Sequence, residues 1–511
     1  MADRIERSKN LLSIKQVLKV IKQVASEYRL NTIPKNEHII HYLRNDHYRR
    51  LLMVKPAKTA SGVAVIAVMP KPYACPHGRC IYCPGGIEFN TPLSYTGSEP
   101  ATKVAQRFSY DPYQQVRSKM QQLRSRGHDI GKTEIVIVGG TFPFMPASYQ
   151  RQFAKSCYDA LNGKKSFTLP QAIATNEIAD NRCVGFTVET KPDYCKESHI
   201  DLMLELGITR IEIGIQSLNN DIYQLVNRGH TLDDVIYAFK IARDAGYKIV
   251  AHMMPGLPGS SPKKDVEDFR RLFEDNAFKP DMLKIYPTLV LEHTGLSKMH
   301  RNGNYQAYSE DEVIDVIVEA KKIVPEWVRI MRIQREIESE DIIAGPKSGN
   351  LRQIVFKKLR KQGYKCKCIR CRETGLQRRY PSEDEVILRR IDYSASGGRE
   401  IFLSYETKAG DTVLGFLRLR KVATPHRAEL EGCVVVRELH IYGQAISIGK
   451  SYRVDSYQHK GLGMNLLNEA EHISKDELGV HKIAIISAVG TRQYYKKFGY
   501  KQDGPYVSKE L

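Results

Sequence analysis

The sequence predicts an α/β protein: a partial TIM-like (βα) barrel followed by a smaller mixed α/β domain. Three observations predict this. Between residues 62 and 290, six short apolar runs alternate with helical segments, the pattern of right-handed βαβ units in a parallel sheet. Around residues 346–384 a basic, cysteine-bearing stretch breaks the pattern. From about residue 385 strands resume and lead into a glycine turn and an amphipathic helix.

The elements follow in order. Residues 1–60 read as a helical, basic N-terminal arm. Leu11, Ile14, Leu18 and Ile21 recur at helical spacing, with Lys15, Lys19 and Lys22 on other faces. Residues 1–50 hold eleven Lys/Arg and five Asp/Glu, a net of +6. The arm either packs on the body or touches a polyanion, and the two roles are compatible. Residues 61–345 form the barrel, with strands at 63–68, 134–140, 184–190, 211–217, 248–254 and 283–290. Helices fall between them, such as Pro112–Arg126, His199–Leu206 and Leu232–Ala245. In such a sheet ligands sit at the C-terminal ends of the strands. Residues 346–384 form a basic linker. From 351 to 380 there are eleven Lys/Arg and one acid, Glu373. Residues 385–511 form the second domain, with strands at 413–420, 433–443 and 482–487.

Composition limits the function. The chain has 511 residues, room for about three domains. Apolar residues make up 42% and charged residues 27%, which excludes a disordered or fibrous chain. Lys and Arg number 78 against 58 Asp and Glu, a net charge of +20 that points to a polyanionic partner, nucleic acid first. No run approaches the ~18 apolar residues that a membrane span needs. The opening MADRIERSKNLL lacks a signal-peptide core, so the expectation is a cytoplasmic protein without a membrane partner.

Six of the ten cysteines fall in two tight trios, which suggests metal ligation. Cys75, Cys80 and Cys83 follow the first strand. Three thiolates there can hold three irons of a 4Fe-4S cluster and leave the fourth iron open to a small molecule. The alternative is a zinc loop with His77 as fourth ligand. Cys366, Cys368 and Cys371 suit a tetrahedral ion such as zinc, with the fourth ligand supplied from elsewhere, or else are thiols of a basic loop. Cys157, Cys183, Cys195 and Cys433 read as small buried residues. Gly139 and Gly140 end the second strand and let backbone approach a ligand closely. Glu189 and Gln216 end later strands and face the same site. In the second domain, Gln458-His459-Lys460-Gly461-Leu462-Gly463-Met464 precedes a helix, so backbone N–H groups converge on a natural pyrophosphate site.

The first trio resembles the cluster loop of radical S-adenosylmethionine (SAM) enzymes, with four rather than three residues between the first two cysteines. The C-terminal turn resembles the Q-x-x-G-x-G loop of Gcn5-related N-acetyltransferases (GNAT), and Tyr494–Tyr500 resembles that fold's Y-x-x-x-G-[FY] element. Together with SYTG (94–97), YDPY (110–113), GGTF (139–142), ETKPDYC (189–195), NRGHT (227–231), AHMMPGLP (251–258), KIYPTLV (284–290), RELHIYG (437–443) and GTRQYYKKFGY (490–500), they resemble the Elongator catalytic-subunit family over most of residues 55–508.

That resemblance implies an enzyme that forms 5-carboxymethyluridine at the wobble position of tRNA, using acetyl-coenzyme A and SAM radical chemistry. It implies a 4Fe-4S cluster on Cys75, Cys80 and Cys83, and SAM near Gly139, Gly140, Glu189 and Gln216. It places acetyl-coenzyme A at Lys132, Glu438, Leu439, His440, Ile441, Leu462, Gly463, Met464 and Tyr495, with Lys132 and Tyr495 in catalysis. The partners implied are the tRNA anticodon stem-loop and an electron donor, with no requirement for accessory subunits. Rival readings are a protein lysine acetyltransferase with a vestigial barrel, and a tRNA-binding scaffold that neither holds iron nor consumes SAM.

Overall fold

The computed structural model describes residues 1–8, 10–443 and 461–511. Gln458, His459 and Lys460 of the glycine turn lie outside the described residues. Strands are numbered along the chain. β1 (Ala64–Val68), β2 (Lys132–Ile137), β3 (Arg182–Thr190), β4 (Arg210–Gln216), β5 (Lys248–Met253), β6 (Met282–Ile285) and β8 (Arg329–Arg332) form one all-parallel sheet in sequential order. β1 and β8 do not pair, so the sheet is a curled half-barrel. It has seven strands where the apolar runs predict six. The seventh, Arg-Ile-Met-Arg, escapes a hydrophobicity search because only Ile330 is buried. The last predicted run is divided: β6 stops at Ile285, and β7 (Val290–Leu291) pairs instead with β9 (Ile342–Ala344).

The helices Pro112–Ser125, Glu197–Glu205 and Leu232–Asp244 fall where their periodicity places them. Thr231 caps the last one with a reciprocal Thr231–Asp234 box, which satisfies end N–H groups that the helix itself cannot. Helices cover the outer face of the sheet. Ile66, Ile135, Phe186, Ile211, Ile249 and Leu283 are buried there in the largest apolar core. The alternate residues face the concave side, and many are charged: Glu134, Glu189, Arg210, Glu212, Lys248, His252 and Lys284 line its cavities or share its ion pairs. Barrel interiors of this type are ordinarily filled by branched apolar residues. A charged lumen is costly unless paired, and marks a site.

The N-terminal arm is four helices, of which Ile14–Glu27 is the longest. Its packed face is Val17, Ile21 and Val24, whereas Leu11, Ile14 and Leu18 are exposed, at 68%, 39% and 42%. The apolar stripe predicted from sequence is therefore offset. Lys15, Lys19 and Lys22 are also exposed.

Residues 346–384 are folded onto both neighbours. The helix Leu351–Lys361 buries Leu351, Val355 and Leu359 in the main core. Arg372 pairs with Glu406 of the following domain at 2.6 Å. Among its described residues that domain is a second sheet of seven strands: β10 (Val386–Ala395), β11 (Gly398–Thr407), β12 (Val413–Lys421), β13 (Cys433–Ile441), β14 (Lys482–Ile485), β16 (Tyr506–Glu510) and β15 (Lys501–Asp503), in that spatial order. Among the described strands only β13 and β14 pair in parallel. Their pairing ends at Val436 and Ile485, and the two strands part before Glu438.

The two modules share one core. Cys433, Val435, Ala484, Ile486, Val489 and Tyr506 belong to the same apolar cluster as the barrel helices. Beside it lies a buried ion network: Arg437 with Asp281 and Glu400, Arg420 with Asp244 and Glu400, Arg418 with Glu438. Trp327 stacks on Tyr393 with centroids 4.3 Å apart. Cys157, Cys183, Cys195 and Cys433 are all buried, as expected of apolar fillers.

Candidate active site in the half-barrel

The loop after β1 carries the first cysteine trio across the C-terminal mouth of the half-barrel. Its shape is set by its neighbours. The Ile81 N–H donates to the Val226 carbonyl at 3.1 Å, the Leu296 N–H to the Ile81 carbonyl at 2.7 Å, and the Asn227 side chain to the Arg79 carbonyl at 2.9 Å. Gly229 has φ +72°, and a Cβ there would overlap the His77 side chain, so the loop needs glycine at this position. The strings NRGHT and ETKPDYC thus act as the seat of the cysteine loop.

Cys80 is buried, while Cys75 and Cys83 are partly exposed. Cys80 Sγ lies 3.2 Å from His77 Nε2 and 3.7 Å from Arg228 Nη1. A hydrogen bond from Cys83, then those from His77 and the Arg228 charge, hold the Cys80 thiol well below its usual range despite burial. Cys83 shifts upward, because its S–H donates a hydrogen bond to the Cys80 thiolate and burial adds to the effect. Lys191 Nζ lies 3.0 Å from His77 Nδ1. Three thiols ringed by Arg228, Lys191 and His77 fit a 4Fe-4S cluster, whose thiolates those cations would balance.

The same cavity, of about 200 Å³, is lined by Gly140, Thr141, Glu189, Gln216, Glu212 and His252. Thr141 Oγ1 is 3.9 Å from Cys75 Sγ. Gly139 adopts φ +126°, and its N–H donates to Glu189 Oε2 at 2.9 Å. Gln216 carries φ +72°, an uncommon conformation for a residue with a Cβ, and its Oε1 is buried with no partner among the described residues. The structure therefore brings Gly139, Gly140, Glu189 and Gln216 to one mouth with the three cysteines.

Deeper in the lumen, Glu212 Oε2 accepts from His252 Nε2 at 2.9 Å and from Lys284 Nζ. Burial opposes ionisation, but Lys284 and then His252 hold the Glu212 carboxyl well below its usual range. Below that layer Arg210 pairs with Glu134, which also accepts from Thr187 Oγ1 at 3.3 Å.

A second cavity, of about 90 Å³, lies at the N-terminal base of the strands. Glu134, Arg210 and Lys248 of the barrel meet Glu438, Leu439, His440 and Tyr495 of the second sheet there. Glu438 is held by Arg418 Nε at 2.9 Å, and His440 Nε2 lies 2.8 Å from the Ser61 carbonyl oxygen. Tyr495 is buried, which pushes its hydroxyl pKa up. Leu462, Gly463 and Met464 open the helix Leu462–His472 behind the Gly461 cap. A Cβ at Gly463 would press on the Tyr494 hydroxyl and lie 3.7 Å from Ile441 Cγ1. Lys132 begins β2, two residues before Glu134 and so on the same face. Burial lowers its pKa to about 8. It does not line either cavity.

The second trio gathers as well. The donor atoms of Cys366, Cys368 and Cys371 lie within 4.8 Å of one another, and Lys321 Nζ is 3.2 Å from Cys366 Sγ. Sequence reasoning missed Arg228, Lys191, Lys321, Glu212, His252 and Lys284. Several of these are charged residues standing inside apolar strand runs, and that was the available signal.

A half-barrel with a three-cysteine loop at its mouth, fused to a splayed acetyltransferase sheet, defines a radical SAM enzyme joined to a GNAT module. Comparison with known proteins agrees. Residues 69–273 match the Radical SAM superfamily, 280–361 the Radical SAM C-terminal domain, and 370–500 the acetyltransferase (GNAT) family. The chain is 45% identical to the tRNA uridine(34) acetyltransferase of Methanocaldococcus jannaschii, covering 96% of this chain and 94% of that one. It is 43% identical to Elongator complex protein 3 of Danio rerio, covering 96% and 92%. The solved structure of archaeal Methanocaldococcus infernus Elp3 lacking residues 1–46 superposes with a TM-score of 0.79 at 42% identity, covering 88% of this chain and all of that one. The chain belongs to the family of Elongator complex protein 3 and the archaeal tRNA uridine(34) acetyltransferases.

Proposed function

We propose that this protein modifies the wobble uridine of tRNA, attaching a carboxymethyl group at C5 that derives from acetyl-coenzyme A. The observation that carries this reading is that two cavities flank the same barrel strands: on β4, Glu212 lines the thiol-bearing one and Arg210 the one lined by Tyr495. A 4Fe-4S cluster and SAM, when bound at the mouth, supply a 5′-deoxyadenosyl radical. Cys75, Cys80 and Cys83 hold the cluster, with Arg228 and Lys191 balancing its charge. Gly139, Gly140, Glu189 and Gln216 line the place for SAM. Glu438, Leu439, His440 and Ile441, the turn Leu462–Met464, and Tyr495 hold acetyl-coenzyme A where β13 and β14 part. Lys132 stands at the start of β2, outside the lining of both cavities, with an ammonium whose lowered pKa suits proton exchange. The walls of the lumen position both substrates and exclude water.

Exposed Lys15, Lys19 and Lys22, and Lys357, Arg360 and Lys361 on the helix Leu351–Lys361, neutralise tRNA phosphates. Cys366, Cys368 and Cys371 hold a structural zinc ion, a reading supported by their convergence beside Lys321. No described helix is long and apolar enough to cross a membrane, and we place the protein in the cytoplasm. It takes electrons from an external donor and needs no further subunit. The test is mass spectrometry of tRNA nucleosides after anaerobic incubation with reductant, SAM and acetyl-coenzyme A. Absence of 5-carboxymethyluridine from a reconstituted sample would overturn the reading.

A further inference from the structure

We infer that Glu212, Lys284 and His252 form the subsite that reads the Watson–Crick edge of a uracil splayed into the barrel. This deepens the proposed tRNA reading and rests on it. The three residues stand on adjacent strands, and His252 and Lys284 are register partners on β5 and β6. Their side chains point into the lumen, and Glu212 and His252 line the same cavity as the cysteine loop. Glu212 lies two residues before Gly214, whose carbonyl accepts from Arg228 at 2.5 Å, so it sits deeper than the trio.

The hydrogen-bond count identifies the ligand. Glu212 is 1% exposed. Both Lys284 and His252 donate to its Oε2, while Oε1 has no partner among the described residues. A buried carboxylate oxygen without a donor is costly, so a ligand N–H belongs there. A metal ion is a poor candidate, although Glu189, Glu212 and His252 lie close enough to ligate one. The Lys284 ammonium already neutralises Glu212 and would repel a cation. The carboxylate would repel an anion. A neutral ring with one acidic N–H flanked by carbonyls satisfies both demands. Uracil N3–H meets Oε1, and the remaining Lys284 N–H groups meet a flanking carbonyl. Tyr286, edge-on to His252 with centroids 5.3 Å apart, offers aromatic surface beside the base. Cytosine held in the same pose loses this bond, because its N3 lone pair would face the carboxylate. Gripped by this edge, the ring leaves C5 free on its other side.

The test uses the full chain and anticodon stem-loop RNAs that differ only at the wobble base, read by competition binding. Uridine RNA is expected to bind about tenfold more tightly than 3-methyluridine or cytidine RNA, the scale of one buried hydrogen bond. In Glu212→Gln the amide can turn its N–H₂ toward cytosine N3, and the uridine-over-cytidine ratio falls toward one. The 3-methyluridine comparison needs no variant, so a Glu212→Gln protein that failed to fold would leave the proposal falsifiable. Equal binding of all three RNAs would overturn the subsite and leave the tRNA reading standing. Failure of every RNA to bind would overturn both. Stoichiometric Mn²⁺ binding that is abolished in Glu212→Gln would overturn it in favour of a cation site.

Discussion

Arg437 of the second sheet grips Asp281, just before β6, through both terminal guanidinium nitrogens, Nη1 to Oδ2 at 2.7 Å and Nη2 to Oδ1 at 2.6 Å, with neither residue exposed to solvent. Asp281 also accepts from the Ile249 N–H at 2.9 Å. The pair therefore ties a barrel strand to an acetyltransferase strand. Burial opposes the charge on Asp281, but Arg437 and Arg418 hold its carboxyl far below the usual range. Removing one partner strands the other charge. Arg437→Met should lower stability by about 3–5 kcal/mol, read as a shifted denaturant midpoint with iron-free protein. A loss under ~1 kcal/mol would show that water or a rearranged neighbour replaces the pair.

Tyr495 faces Glu438, Leu439 and His440 across the small basal cavity. Tyr495→Ala should reduce hydrolysis of acetyl-coenzyme A by tenfold or more, about 1.4 kcal/mol at the barrier, while RNA binding is kept. An unchanged hydrolysis rate would remove Tyr495 from the thioester site.

Lys358 is paired with Asp315, whereas Lys357, Arg360 and Lys361 point to solvent. Reversing the latter three should weaken tRNA binding and reduce the slope of log affinity against log salt by roughly two to three, since each phosphate left without its cation lowers the slope by about one. Reversal of Lys358 alone should change both less. Equal effects would mean that the helix contributes only diffuse charge.

Asp265 is buried under the loop that follows β5. It accepts from the Gly256 N–H at 2.8 Å, Ser260 Oγ at 2.6 Å and the Tyr308 hydroxyl at 2.8 Å. Burial outweighs these donors and raises its pKa to about 6. The folded state thus binds this proton more tightly than the unfolded chain. The group's stabilising contribution is complete below pH ~4, its unfolded value, and is lost as pH rises through about 6. Asp265→Asn should flatten that slope, gaining ~1–3 kcal/mol relative to wild type at pH 7.5. Unfolding curves collected from pH 4 to 8 decide it, and parallel slopes would sink the assignment.

Much of the fold was legible because its strands are buried on the helix side and rich in Ile and Val. Phe186 and Ile211 announce their strands wherever one looks. The seventh strand was not legible, since Arg329 and Arg332 flank its one buried isoleucine. The cysteine loop could be read directly, because three thiols in nine residues have few structural uses. Its supporting cast could not. Arg228 and Lys191 reach Cys80 and His77 from loops after other strands, and only the curled sheet brings them together. The N-terminal helix was misread by one face: with lysines on several sides, Leu18 and Val17 compete for the apolar stripe, and packing against Ile39 and Ile40 settles it for Val17.

The shared core has a consequence for anyone dissecting the molecule. A gene cut near codon 385 would leave Tyr506 and Val489 on one fragment, torn from their barrel neighbours, and would part Arg420 and Arg437 from Asp244 and Asp281, leaving Glu400 as their shared acid. Such halves should aggregate when expressed apart. The same wedding of surfaces restricts evolution, because neither module can be swapped for a cousin unless Asp244, Asp281, Arg420 and Arg437 are inherited together.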